Sequence, residues 1–317
     1  YDGQWPDLSA AGIDAERARI DAARTALGAV QLRTVGDEVD AEILLNDLEL
    51  QTFTLDVEQP WIRNPYWYAN IMGSGIDDLI SRDFAPIDQR AASLTARLTA
   101  LPAFVEQAKA SLDPAACMLP QTQVAIGQLD GLVSLVRKTV LERLVDAPEE
   151  VRLQVGAATA PAVQSIRDFQ QHLRTQVLPQ ASGPWRLGAA NFARKLRLTL
   201  NTDIGADQLR RAAVLEHGRV RQQMTTLAAE LAEVMLGSGK IRRIRRRARG
   251  NADAAVTRAV LEALSDWHVS PEALRGAIEL NLVRLDEFVR ANDIVPLDDA
   301  EVLEVIWTPP HQQGVFI

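Results

Sequence analysis

Apolar residues recur every three or four positions along almost the whole chain, and this spacing limits the fold more than any other feature. A side chain three or four residues on returns to the same face of an α-helix, so such a pattern gives one apolar stripe per helix. One stripe carries Ile13, Ile20, Leu27 and Val30; the next carries Ile43, Leu44, Leu48 and Leu55. A longer one runs Leu94, Leu98, Leu101, Val105, Ala108 and Leu112, and another runs Leu129, Val133, Val136, Val140 and Leu144. The pattern predicts helices over 13–32, 40–55, 76–84, 88–112 and 124–145. It then predicts one from Pro148 through Val177 kinked at Pro161, one over 189–200, and a long one ending at Gly237. Two more are expected over 254–264 and 271–289, the last capped by Ser270 with Pro271 at its first position. Between 55 and 76, Pro60 and Pro65 punctuate an aromatic stretch, Trp61, Tyr66, Trp67 and Tyr68, that reads as a loop. Only Leu303, Val305 and Trp307 alternate with a period of two, which suits a short strand. The expectation is an all-α, large multi-helix, bundle-like domain with one short strand near its C-terminus. It would comprise residues 1–236, a basic linker or exposed helix over 237–250, and C-terminal helices and strand over 251–317 packed on the same domain.

The 317 residues can bury a sizeable core without staples. The formal charge of −8 argues against general nucleic-acid binding, which depends on neutralising phosphates. The run Lys240 to Arg249 is basic, but it has no interleaved aromatics and reads as a solvated face rather than a nucleic-acid contact. The single cysteine, Cys117, forbids an intrachain disulfide and reads as an apolar filler. No apolar run approaches the roughly 18 residues of a membrane span. The chain opens on Tyr1 without an initiator Met and stops on Val315-Phe316-Ile317, so a longer protein is expected. The compartment stays open: a cytoplasmic location is slightly favoured and an exported form is allowed. The oligomeric state is open too.

Several stretches, in order, carry a resemblance. Phe84-Ala85-Pro86 leads to Arg90, then Arg97-Leu98 and Leu101-Pro102; a helical stretch follows at Ala125 to Gln128. Pro179, Trp185, Leu187-Gly188, Phe192 and Leu196 come next, and Val302 to Pro310 ends the series on Thr308-Pro309. Together these resemble the N-terminal helical part of the DUF885 family, which is similar to a zinc-metallopeptidase clan. The resemblance implies a helix with H-E-x-x-P-G-H in complete members, and a glutamate on another helix downstream. Histidines one turn apart share a face and can bind one Zn²⁺, while the Glu after the first can activate the metal-bound water. His172, His217, His268 and His311 are far apart and match no such motif. The resemblance therefore implies no catalytic residue, metal ligand or cofactor in this chain, and zinc only in a complete family member.

Substrate-binding candidates are Tyr66, Trp67, Tyr68 and Trp185, which would line a peptide cleft. The alternative is that they pack a loop and a loop-to-helix junction, since aromatic rings bury large areas and keep a polar handle. Two functions from different classes are then in play. In one, the chain is a non-catalytic helical lobe of a peptidase-like hydrolase, meeting peptide substrate together with a missing C-terminal part. In the other, it is a stand-alone helical scaffold or interaction domain. The coding sequence beyond Ile317 separates them, by the presence or absence of H-E-x-x-P-G-H.

Overall fold

Prolines and short polar caps set the helix starts. In the computed structural model, which describes residues 2–299, 303 and 305–308, Ser9 accepts from the Gly12 amide and opens α1 (Ala10–Gly28). Thr34 and Asp37 form a reciprocal capping box at the start of α2 (Val35–Phe53). Pro60 and Pro65 each stand at the first position of a helix, α3 (Pro60–Arg63) and α4 (Pro65–Ser81). The aromatic stretch, expected to be a loop, is therefore helical, with Tyr66, Trp67 and Tyr68 in the first turn of α4. A proline at the first helical position lacks only an N–H that had no partner anyway. The helix expected over 76–84 is the second half of α4.

The chain continues through α5 (Ile87–Ser111), α6 (Leu119–Ser134), α7 (Val140–Arg143), α8 (Glu149–His172) and α9 (Ala189–Leu200). Pro102 and Pro161 lie inside α5 and α8 without ending them. Three π turns, Thr54–Glu58, Leu135–Thr139 and Leu173–Val177, come after α2, α6 and α8. Beyond α9 lie α10 (Ala206–Arg247), α11 (Ala252–Ser265), a single 3₁₀ turn (Pro271–Ala273) and α12 (Leu274–Ala291). The chain is 77% helical, where globular proteins average roughly a third, so the all-α class holds. No strand forms among the described residues. Leu303, Val305 and Trp307 are in neither helix nor strand, and Val302 and Glu304 lie outside the described residues. A strand needs a pairing partner, and no other described segment offers one.

Two compact units divide the described chain, the first comprising the residues up to Asp203 together with Thr308 and the second running Ile204–Trp307. In the first unit, α4, α5, α6 and α8 enclose the core. Tyr68, Met72 and Ile76 of α4 are fully buried with Leu94, Leu98 and Leu101 of α5, Leu129 of α6, and Ile166 and Phe169 of α8. Tyr68 meets Phe104 and Phe169 at 6.0 and 6.2 Å between ring centres, and its hydroxyl donates to the Trp61 carbonyl at 2.9 Å. Arg90 explains the spacing from Phe84-Ala85-Pro86. Only 7% exposed, it donates to the Ala85 and Leu79 carbonyls at 2.8 and 3.1 Å and to Asp83 at 2.7 Å, tying the end of α4 and its linker to α5.

The second unit has a small core of Ala228, Ala232, Val256 and Val260 between α10 and α11. Gly237, with φ 72° and ψ 149°, breaks α10 where the sequence marks a stop, in a conformation essentially reserved for glycine. The basic residues Lys240 to Arg247 then continue as helix rather than linker. Ile241 and Ile244 pack on the small core, and Arg245 pairs with Asp253 at 3.0 Å. No residue of α12 is buried, and Leu274, Ile278, Leu285 and Phe288 lie exposed along one stripe.

Candidate functional site

Three segments of the first unit are laced together by three backbone bonds and one from a side chain. The Asp113 amide donates to the Ile62 carbonyl at 3.0 Å and the Met118 amide to the Arg63 carbonyl at 3.2 Å, joining α3 to the start of α6. The Gly183 amide donates to the Cys117 carbonyl at 2.9 Å, and Arg63 Nη2 to the Pro184 carbonyl at 2.7 Å, bringing in the segment before α9. At Gly183 the approach is so close that a Cβ would sit 1.8 Å from the Ala116 carbonyl oxygen. On its other side α9 docks on α2. Leu198 is buried, Asn46 Nδ2 donates to the Leu198 carbonyl at 2.8 Å, and Arg197 pairs with Glu49 at 2.9 Å.

Between these segments lies a cleft of about 620 Å³, within the usual range for small-molecule sites. Its apolar wall includes Trp67, Met118, Pro184, Trp185, Leu187 and Phe192. Its charged groups are Arg63, Arg186 and Lys195 against the single carboxylate of Glu58, a local positive excess in a chain of formal charge −8. Lys195 is paired with Glu58, and Thr54 Oγ1 lies 3.3 Å from the same carboxylate. The π turn holds both Thr54 and Glu58. The Arg186 guanidinium lies over the Trp185 ring, 4.4 Å from its centre. Two carboxamide oxygens lining the cleft, Asn64 Oδ1 and Gln121 Oε1, are buried and accept no hydrogen bond.

Helices α4, α6 and α9 each place first-turn residues on the cleft: Trp67, Gln121 and Phe192. None is capped by a side chain at Asn64, Met118 or Gly188. Helix starts carry free amide hydrogens and the positive end of the helix dipole. A second cavity, about 760 Å³, opens beside Leu8, Ile13, Ile20 and Trp61. It is larger, but its polar rim is internally paired: Glu16 with Arg19, Asp47 with Gln51, and Asp7 with Ser9 and Gln107. The first cavity is the better site because two of its buried polar atoms, Asn64 Oδ1 and Gln121 Oε1, are left without partners.

Of the residues expected to bind substrate, Trp67 and Trp185 line this cleft, and Trp185 is 59% exposed. Tyr68 is in the core, where burial pushes its phenol well above the usual range. Tyr66 packs against the core and is not among the lining residues. Sequence reasoning missed Glu58, Arg63, Asn64, Gln121 and Lys195. Lys195 was the most accessible to it, since Phe192, Lys195, Leu196 and Thr199 recur at helical spacing on one face of α9. Among the described residues, no group of three or more His, Cys, Asp or Glu could hold a metal ion. His172, alone on α8 with His217 and His268 in the second unit, does not fit a zinc centre, and His311 lies outside the described residues. No described helix is long and apolar enough to cross a membrane.

The family described as "Bacterial protein of unknown function (DUF885)" matches residues 1–315. No curated protein matches the chain. Among solved structures, the chain is similar to a protein of unknown function from Shewanella oneidensis, a candidate lipoprotein by its description. The TM-score is 0.71 with 22% sequence identity, over 97% of this chain and 55% of that one. At that identity the likeness speaks for the fold, and this chain spans about half the length of the solved protein.

Proposed function

Because the chain belongs to the DUF885 family, we propose that it is the non-catalytic helical lobe of a zinc-dependent, peptidase-like hydrolase and forms one wall of the substrate cleft. The observation that carries this is the cleft itself: an apolar and aromatic wall with Trp67 and Trp185, a local cationic excess, and buried polar atoms that lack partners. Such a surface can hold and orient a peptide, using rings for side chains and cations or amides for the backbone. Cys117 is fully buried, and its thiol is pushed up to about 12, chiefly by burial. The metal and the water-activating carboxylate belong, in this reading, to a part outside the chain, in keeping with a solved relative of which the chain spans 55%.

The test is a pair of assays. The 317-residue chain alone is expected to hydrolyse no peptide and to take up no stoichiometric zinc. The same chain continued through an H-E-x-x-P-G-H helix is expected to show chelator-sensitive hydrolysis. One tightly held zinc and hydrolysis by the chain alone would overturn the reading. A second reading, a helical scaffold that binds a protein partner, draws support from the uncovered apolar stripe of α12. It is favoured if the coding sequence stops soon after Ile317.

A further inference from the structure

We propose that the cleft between α4, α6 and α9 recognises the free carboxyl terminus of a peptide, so that the substrate class is a peptide or N-acylated amino acid with an ionised carboxylate. The inference rests on the proposed role of this cleft as a substrate wall and names what the wall selects.

Three observations point the same way. First, Arg63, Arg186 and Lys195 line the cleft, and only Glu58 opposes them. A guanidinium is planar and presents a fork of donors that matches a carboxylate. Arg63 is held beside the cleft by its bond to the Pro184 carbonyl, and Arg186 by its stack on Trp185. Second, the uncapped starts of α4, α6 and α9 add positive potential at the same place. Neither charge nor helix starts would favour an amine or a neutral sugar. Third, Asn64 Oδ1 and Gln121 Oε1 are buried acceptors without donors. Leaving a buried polar group unpaired is costly, so a ligand that brings N–H groups is favoured. A simple anion cannot satisfy an acceptor. A peptide terminus carries both parts next to each other, a carboxylate for the cations and an amide N–H for the carboxamides. The apolar wall of Trp67, Met118 and Phe192 then takes its side chain.

The experiment uses the 317-residue chain and isothermal titration with N-acetyl-alanyl-phenylalanine as the free acid, as its C-terminal amide, and as the free acid methylated on the phenylalanine nitrogen. The free acid is expected to bind at least roughly tenfold more tightly than the amide, with the preference weakening as salt rises. The N-methyl compound is expected to bind several-fold more weakly than its parent. Arg186→Gln changes an exposed side chain and should leave the fold intact; it and Arg63→Gln should each erase most of the acid preference. Equal binding of acid and amide would overturn the carboxylate inference and leave the cleft reading standing. Binding of none of the three at millimolar concentration would overturn both. Acid preference that survives both arginine substitutions would place the carboxylate elsewhere and overturn the assignment.

Discussion

Replacing Arg90 by methionine should destabilise the first unit by about 3 kcal/mol. Methionine keeps a long apolar stem in the same space, so packing changes little, while the guanidinium is lost. Three interactions go with it. Two are to the Ala85 and Leu79 carbonyls, and hydrogen bonds to a charged donor are each worth roughly 1.5–3 kcal/mol. The third, to Asp83, adds little, because that carboxylate is 94% exposed and water replaces the arginine. Against the loss stands the recovered cost of burying a cation, which brings the sum of the two carbonyl bonds down to about the stated figure. The assay is urea unfolding followed by tryptophan fluorescence in a background with Trp267→Phe and Trp307→Phe. Both of those tryptophans are exposed and belong to the second unit, so the signal then reports on the first. Arg90→Lys keeps the charge but not the fork, and should recover less than half of the loss. A methionine variant within about 0.5 kcal/mol of the parent, or full recovery by lysine, would refute the claim that three-way bonding of one guanidinium holds α4 to α5.

Gly183→Ala should cost about 1–3 kcal/mol and weaken ligand binding in the cleft, because the new Cβ would drive the backbone off the Ala116 carbonyl and carry Pro184 and Trp185 with it; thermal melting with a ligand titration checks both. Cys117, fully buried and with its thiol raised to about 12, should resist an aromatic disulfide reagent at about pH 8 in the native chain and react promptly in urea, so fast native labelling would contradict the packing. His172 on α8 is held below its ordinary value of 6.5, first by burial and then by Lys109 of α5, with Glu106 opposing. Its stabilising contribution is therefore complete above pH 6.5 and falls as the pH drops through the lowered folded value, since the unfolded chain then binds the extra proton. His172→Gln should flatten that part of the stability-versus-pH curve, and an unchanged curve would refute the assignment.

Helix identity was legible because it depends on local periodicity. The segment predicted over 189–200 is α9 with the same ends, and Ser270 caps the turn before α12 as expected. The aromatic stretch was misread because a proline can either stop or start a helix, and the residues on its C-terminal side decide which. Tyr68 sits in the core rather than the cleft for a reason the local pattern could not reveal: its partners Phe104 and Phe169 come from α5 and α8. The cleft was half visible. Its rings were noticed as unusual, but its cations and carboxamides are common residue types. They matter only because Arg63, Gln121 and Lys195, distant in sequence, line one cavity. The π turns leave no composition signal, as they differ from α-helix by a single residue per turn.

That single residue has a consequence for how such a protein can change over generations. The π turn Thr54–Glu58 closes from the Gln59 amide to the Thr54 carbonyl, at 2.8 Å, and holds one residue more than an α turn would. Deleting one codon there is the natural route back to regular helix. It would rotate the downstream chain by about 100° relative to α2, and Glu58 would swing away from Lys195. Substitutions in the turn are gradual and can be tested one at a time by selection, but the deletion is all or nothing. A lineage that keeps the cleft must therefore keep its reading length through this turn.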